Sequence, residues 1–336
     1  MAHALQRAAN EARRGVLTEV RTRELLSEIL QSVNGDGLRF FTVAQWFTHF
    51  VDQKRKSRAD QTAARHNQIM REFIEFLGAR ANLNIAAITS KDIADFRDYR
   101  QSLGLAPSTV NVDMTTLSAC FNSALRQGHI SANPCLALDP LRETAVRKAV
   151  FTPEQVSALV KTAVGDMRGL VMIGFYVGCR LHDAANLRWK NVDLVSEIKT
   201  IRFVNAKTGR EIVTVIHPAL EDYLLSLPAP PNDEAFLFPS LAQRATSPLS
   251  KEFRLLLSQA RIEQHEIRKR EKGGRCVHAL SFHSLRHSFS SLLANAGIPE
   301  ETRMALTGHT QRETHQRYTH HDLAVLRSAI STLPRV

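Results

Sequence analysis

A mainly α fold with a small antiparallel β-sheet is what this sequence predicts, on three observations. Between residues 39 and 140, apolar residues recur at helical spacing and no segment alternates with period two. Thr152-Pro153-Glu154-Gln155 gives a second strong helix start, with a threonine cap, proline in the first turn and glutamine three residues on. One pair of β-rich runs, 200–204 and 212–216, flanks the turn residues 205–209 and reads as a hairpin. At 336 residues the chain is long enough for two domains, each burying its own core.

Residues 1–38 read as one charged helical extension, with Leu25, Ile29 and Val33 at helical spacing until Asn34-Gly35-Asp36-Gly37 stops it. It is a packing or linker helix, or an arm that reaches a partner. Residues 39–140 read as a compact helical domain. Thr42 and Gln45 form a capping box ahead of Val43, Trp46, Phe47 and Phe50. A second helix carries Ile69, Phe73, Phe76 and Leu77 and ends at Gly78. Thr89 to Asp92 opens a third, with Ile93, Phe96 and Tyr99. Pro107 opens a fourth, with Val112, Leu117, Phe121 and Leu125, which Gly128 closes. Residues 141–150 lack an apolar stripe and read as a linker. Residues 151–336 form the second domain, mostly helical and interrupted once by the hairpin.

The formal charge is +11, and it is shared between the halves. Residues 1–150 hold 20 Lys/Arg against 15 Asp/Glu, and residues 151–336 hold 24 against 18. Both halves therefore suit one polyanionic partner. Cys120, Cys135, Cys179 and Cys276 contain no CxxC pair, which favours a reducing compartment. No secretory signal is recognisable, and the apolar stretch 169–179 is too short to span a bilayer. The expected location is cytoplasmic, associated with the nucleoid.

Chemistry concentrates in an ordered set of residues: Arg180, Lys207, His283, Arg286, His309 and Tyr318. His283, Arg286, His287 and Ser290 share one face of a predicted helix, with Leu285, Phe289, Leu292 and Leu293 opposite. The pair His283 and His287 also has zinc-ligand spacing, but Ser284 stands where a zinc protease needs glutamate, so no metal is assigned. Arg180 and Arg286 each offer a planar fork of donors suited to phosphate oxygens. Lys207, in the hairpin turn, suits protonation of a departing 5′ oxygen. Tyr318 follows His309 by nine positions and lies between Arg317 and Thr319. A phenol with pKa near 10 needs a base and a positive field to attack phosphorus; His283 is the candidate base. Tyr99, Tyr176 and Tyr223 lie in apolar helical patterns and read as core.

This order of residues resembles the tyrosine recombinase (phage integrase) family, and the likeness runs over nearly all of the chain after residue 38. It implies a helical core-binding domain at 39–140 and a mixed, mostly helical catalytic domain after the linker. It assigns catalysis to Arg180, Lys207, His283, Arg286, His309 and nucleophile Tyr318, with Asp183 supporting the first arginine by a hydrogen bond. Thr307 departs from the leucine usual before Gly308-His309. The reaction implied is site-specific DNA breakage and rejoining through a 3′-phosphotyrosine, without metal, ATP or other cofactor, on double-stranded DNA synapsed by a homotetramer. Residues 323–336, with an apolar face at Leu323, Val325, Leu326 and Ile330, are expected to dock on a neighbouring protomer. Integration or excision of a mobile element is the favoured biology.

Two domains closing round a duplex would bring basic groups to phosphates. Lys54, Arg55, Lys56, Arg58 and Arg65 are candidates in the first, and Lys269 and Arg270 in the basic run 268–275 of the second. Two other readings remain open at this point: a type IB topoisomerase-like relaxation of supercoils, and a DNA-binding accessory protein without catalysis.

Overall fold

The computed structural model describes residues 2–34, 41–57, 60–143, 149–206, 208–263, 266–268 and 277–308. It divides into two compact units, Met1–Thr144 and Ala145–Val336. Within the first unit, the N-terminal segment forms two helices rather than the one expected, α1 (Ala2–Arg13) and α2 (Glu19–Asn34). Gly15 adopts a left-handed φ of +67° and stops α1, and the Thr18 hydroxyl accepts the Arg21 amide at 3.2 Å to start α2. Arg21 then pairs back to Glu11, holding the two helices together.

The rest of the first unit is α3 (Val43–Ser57), α4 (Asp60–Leu77), α5 (Ser90–Ser102) and α6 (Pro107–Arg126). Capping boxes at Thr42 with Gln45 and at Thr89 with Asp92 start α3 and α5 as the sequence predicts. Their apolar stripes meet in one core of Trp46, Phe47, Phe73, Phe96, Leu117 and Phe121, all buried. Two expected core members face outward: Tyr99 is 42% exposed, stacked on Phe76, and Val112 is 51% exposed. The helical period places them a step off the buried stripe. A charged cluster lies beneath α4, α5 and α6, where fully buried Asp113 accepts from Arg100 at 2.9 and 3.0 Å and from Arg65.

The second unit begins with α7 (Pro153–Thr162), α8 (Asp166–Tyr176) and the short α9 (Leu181–Ala185). Strand β1 (Val192–Asp193) pairs antiparallel with β2 (Thr200–Val204), which pairs with β3 (Glu211–Val215) in the register Arg202↔Val213. The hairpin is thus a three-stranded sheet. After α10 (Pro218–Leu225) and α11 (Thr246–Gln259) comes a second ribbon that the sequence did not announce, β4 (Glu266–Arg268) with β5 (Val277–His278). The basic run 268–275 connects these strands. The unit closes with α12 (Phe282–Asn295) and α13 (Glu300–Thr307). Its core gathers Leu170, Ile173, Ile201, Phe238, Phe253 and Leu285. No helix among the described residues is long and apolar enough to cross a membrane.

Candidate active site

The site is built where α8 crosses α12. Helix α8 is apolar, and two glycines four residues apart on it and its exit let α12 approach. A Cβ on Gly174 would lie 2.7 Å from Phe282 Cζ and 2.9 Å from Leu285 Cδ1; one on Gly178 would lie 2.6 Å from Phe289 Cδ1. Gly178 also has a φ of +66°, which a side chain would strain. The left-handed turn ends α8 and sends the chain through buried Cys179 to Arg180, the extended residue that caps α9. Burial pushes the Cys179 thiol up to about 12, so it is a protonated filler at neutral pH.

This close crossing brings Arg286 to the segment that bears Arg180. The Arg286 side chain is 1% exposed, and its Nη1 donates to the Gly178 carbonyl at 2.7 Å. Its Nη2 donates to the Thr307 carbonyl at 2.5 Å, at the end of α13. Thr307 is itself fully buried, with its hydroxyl donating to the Arg303 carbonyl at 2.8 Å. The next residue, Gly308, is a left-handed cap with φ +66°. One guanidinium therefore ties together the segments immediately before Arg180 and His309, joining positions 108 and 21 residues away from it in sequence.

The hairpin turn approaches from another side. Asp183 Oδ1 accepts the Ala206 amide at 3.2 Å, one residue before Lys207. A Cβ on Gly308 would lie 2.5 Å from Ile212 Cδ1 and 3.9 Å from Asn205 Nδ2. The strand end, the α9 carboxylate and the α13 terminus thus converge. His283 stands one turn before Arg286 on α12, half-buried, its ring edge-on to buried His287 with centroids 5.2 Å apart.

Two expectations need correction. The Asp183 carboxylate does not hydrogen-bond Arg180: Oδ2 and Arg180 Nη1 are 4.0 Å apart, an ion pair beyond hydrogen-bond range. Helix α12 is not divided into a polar and an apolar face either. Ser284, Ser288, Ser290 and Ser291 are buried with Leu285 and Arg286, while Leu292 is 37% exposed. The cause is that α12 runs through the unit's interior: Ser288 Oγ accepts the Phe151 amide at 2.7 Å, and α8 covers another side.

Lys207, His309 and Tyr318 lie outside the described residues, as do tail residues 323–336 and, among the basic candidates, Arg58, Lys269, Arg270 and the side chain of Lys56. Lys54 lies 5.0 Å over the Phe50 ring, and exposed Arg55 pairs with Asp52 at 3.5 Å. Arg65 is engaged by buried Asp113. Among the described residues no group of three or more His, Cys, Asp or Glu is placed to hold a metal ion. Sequence reasoning missed the backbone groups that organise the site: the carbonyls of Gly178 and Thr307 and the amide of Ala206. The spacing of Gly174 and Gly178 was a visible sign of the close crossing.

Residues 149–324 match the model of the Phage integrase family, and residues 42–138 that of the Phage integrase SAM-like domain. Tyrosine recombinase XerC of Staphylococcus haemolyticus is 23% identical over 282 residues, covering 82% of this chain and 90% of the relative. The integrase of Escherichia phage P2 is 26% identical over 248 residues, covering 74% of this chain and 65% of the relative. The fold is similar to that of a lambda integrase dimer bound to a COC′ core site, with a TM-score of 0.63 and 16% identity over 83% of this chain and 95% of that one. The family match spans more than half of the sequence and contains the whole of the convergent site, so the chain belongs to the phage integrase family, the tyrosine recombinases.

Proposed function

We propose that the protein is a site-specific DNA recombinase that cuts and rejoins strands through a 3′-phosphotyrosine, in the integration or excision of a mobile element. The observation that carries this reading is the pair of bonds from Arg286 to the Gly178 and Thr307 carbonyls. They support a single pocket for Arg180, Arg286 and His309, with the Lys207 turn at its rim.

In the proposed step, Tyr318 Oη forms a bond to phosphorus and gives its proton to His283. The bond from phosphorus to the 5′ oxygen breaks, and Lys207 supplies the proton that turns the leaving alkoxide into a hydroxyl. Arg180, Arg286 and His309 stabilise the charge that builds on the non-bridging oxygens. Attack by the 5′ hydroxyl of a second strand reverses the step. The phosphotyrosine conserves the energy of the broken bond, so neither ATP nor a metal is called for.

Assembly follows the same reasoning. A lambda integrase tetramer bound to a Holliday junction has a similar fold, which supports a tetramer on paired sites here. Half-buried Lys54 and exposed Arg55 are the first unit's described candidates for phosphate contact, beside Lys56 and Arg58, with Lys269 and Arg270 from the second. Arg65, held by Asp113, contributes to the fold of its own unit. Residues 323–336 are proposed to dock on a neighbouring protomer. Removing them should impair synapsis of two sites while single-site binding stays within about threefold; equal loss of both, by gel shift, would count against docking.

The direct test is covalent capture. A pool of random nicked duplexes is incubated with the protein, and DNA that stays attached in denaturant is recovered and sequenced to define the site. Wild type should yield adducts on that site and Tyr318→Phe none. A wild type that binds the selected site without ever becoming attached would overturn the enzymatic reading.

A further inference from the structure

We infer that Asp183 is a positioning residue for the turn that carries Lys207, acting through the Ala206 amide rather than through a hydrogen bond to Arg180. The carboxylate is 4% exposed, and its Oδ1 accepts that amide at 3.2 Å. Its Oδ2 stands 4.0 Å from Arg180 Nη1, where attraction offsets charge but fixes no geometry.

The backbone bonds Asn205 N to Arg210 O and Gly209 N to Asn205 O, 2.8 Å each, close the loop on itself, and the bond to Asp183 ties it to α9. A lysine at a hairpin tip is ordinarily solvated and free to swing. Proton delivery requires its nitrogen within about 3 Å of the leaving oxygen. Anchoring the preceding amide to a helix fixed beside Arg180 sets the origin of the lysine stem relative to the phosphate pocket. The α9 helix is short, but it follows directly on the Gly178 turn that Arg286 holds. A carboxylate acceptor makes a stronger bond to the amide than a neutral one would.

The inference rests on the proposed cleavage reaction, and the test separates the two. Cleavage rates are measured for Lys207→Ala, Asp183→Ala and the double variant on the captured site. If Asp183 acts through the lysine, each single variant loses about 100-fold and the double variant is no slower than Lys207→Ala. Losses that multiply would overturn the inference, whatever Lys207 does chemically. The same set is then run on a substrate whose 5′ bridging oxygen is sulfur, a leaving group that departs without a proton. Rescue of Asp183→Ala to the level of rescued Lys207→Ala is expected; a defect that persists for Asp183→Ala alone would overturn the inference. Failure to rescue Lys207→Ala would instead remove the general-acid assignment and leave the double-variant result to judge Asp183. Should Asp183→Ala not fold, Ala206→Pro deletes the donor from the turn side and enters the same cycle.

Discussion

Arg286 illustrates how little of a buried site is local. Two of its partners are backbone carbonyls 108 and 21 positions away, beyond any local window of sequence. Asp113 and Arg65, 48 positions apart, are hidden in the same way, and Arg65 looked like a surface cation for that reason. By contrast, Thr89 and Asp92 could be read directly, because a capping box closes over three residues. Asp92 has a second role that the sequence does not show. Burial raises its pKa, but the hydrogen bond from Arg80 and those from the Thr89 amide and hydroxyl outweigh this and leave it below its ordinary 3.8. A depressed carboxylate contributes stability above its unfolded pKa and loses it as pH falls through the folded value. Asp92→Asn should therefore destabilise the first unit by about 1 kcal/mol at neutral pH. That difference should shrink to nothing well below pH 3.8. Urea unfolding followed by Trp46 emission, in a Trp189→Phe background, reads this out; a difference that is the same at neutral and acid pH would refute the assignment.

At the scale of elements, periodicity and caps recovered α3 to α6 of the first unit, and the β-rich runs located the hairpin to within a residue. The elements that were missed have weak local signals. Gly15 was passed over as a break because charged residues continue on both sides of it, and the two- and three-residue strands β4 and β5 are too short to show alternation. The α13 terminus joins element to site. Gly308 is left-handed and sits against Ile212, immediately before His309, and this turn is proposed to direct that residue. Gly308→Ala adds a backbone cost of about 1–2 kcal/mol and a Cβ at 2.5 Å from Ile212 Cδ1. Covalent capture should fall by about tenfold or more, while affinity for the site, measured by gel shift, changes little. Capture at the wild-type rate would mean that this turn does not direct His309.

For the whole molecule, each unit has its own apolar core, and both halves are basic, as a protein that grips one polyanion with two bodies requires. The order of the candidate catalytic residue types could be proposed from the sequence because it depends on identity alone. The way Arg180, Asp183, His283 and Arg286 are gathered could not be, because it depends on the glycine-mediated crossing of α8 and α12 and on the backbone groups that Arg286 and Asp183 hold. That gathering is most directly tested by a structure of the protein on its DNA site with vanadate in place of the scissile phosphate. The equatorial oxygens should lie within hydrogen-bond distance of Arg180 and Arg286, with the Tyr318 phenol oxygen apical. A vanadate bound away from both guanidinium groups, or approached by any other nucleophile, would contradict the mechanism proposed here.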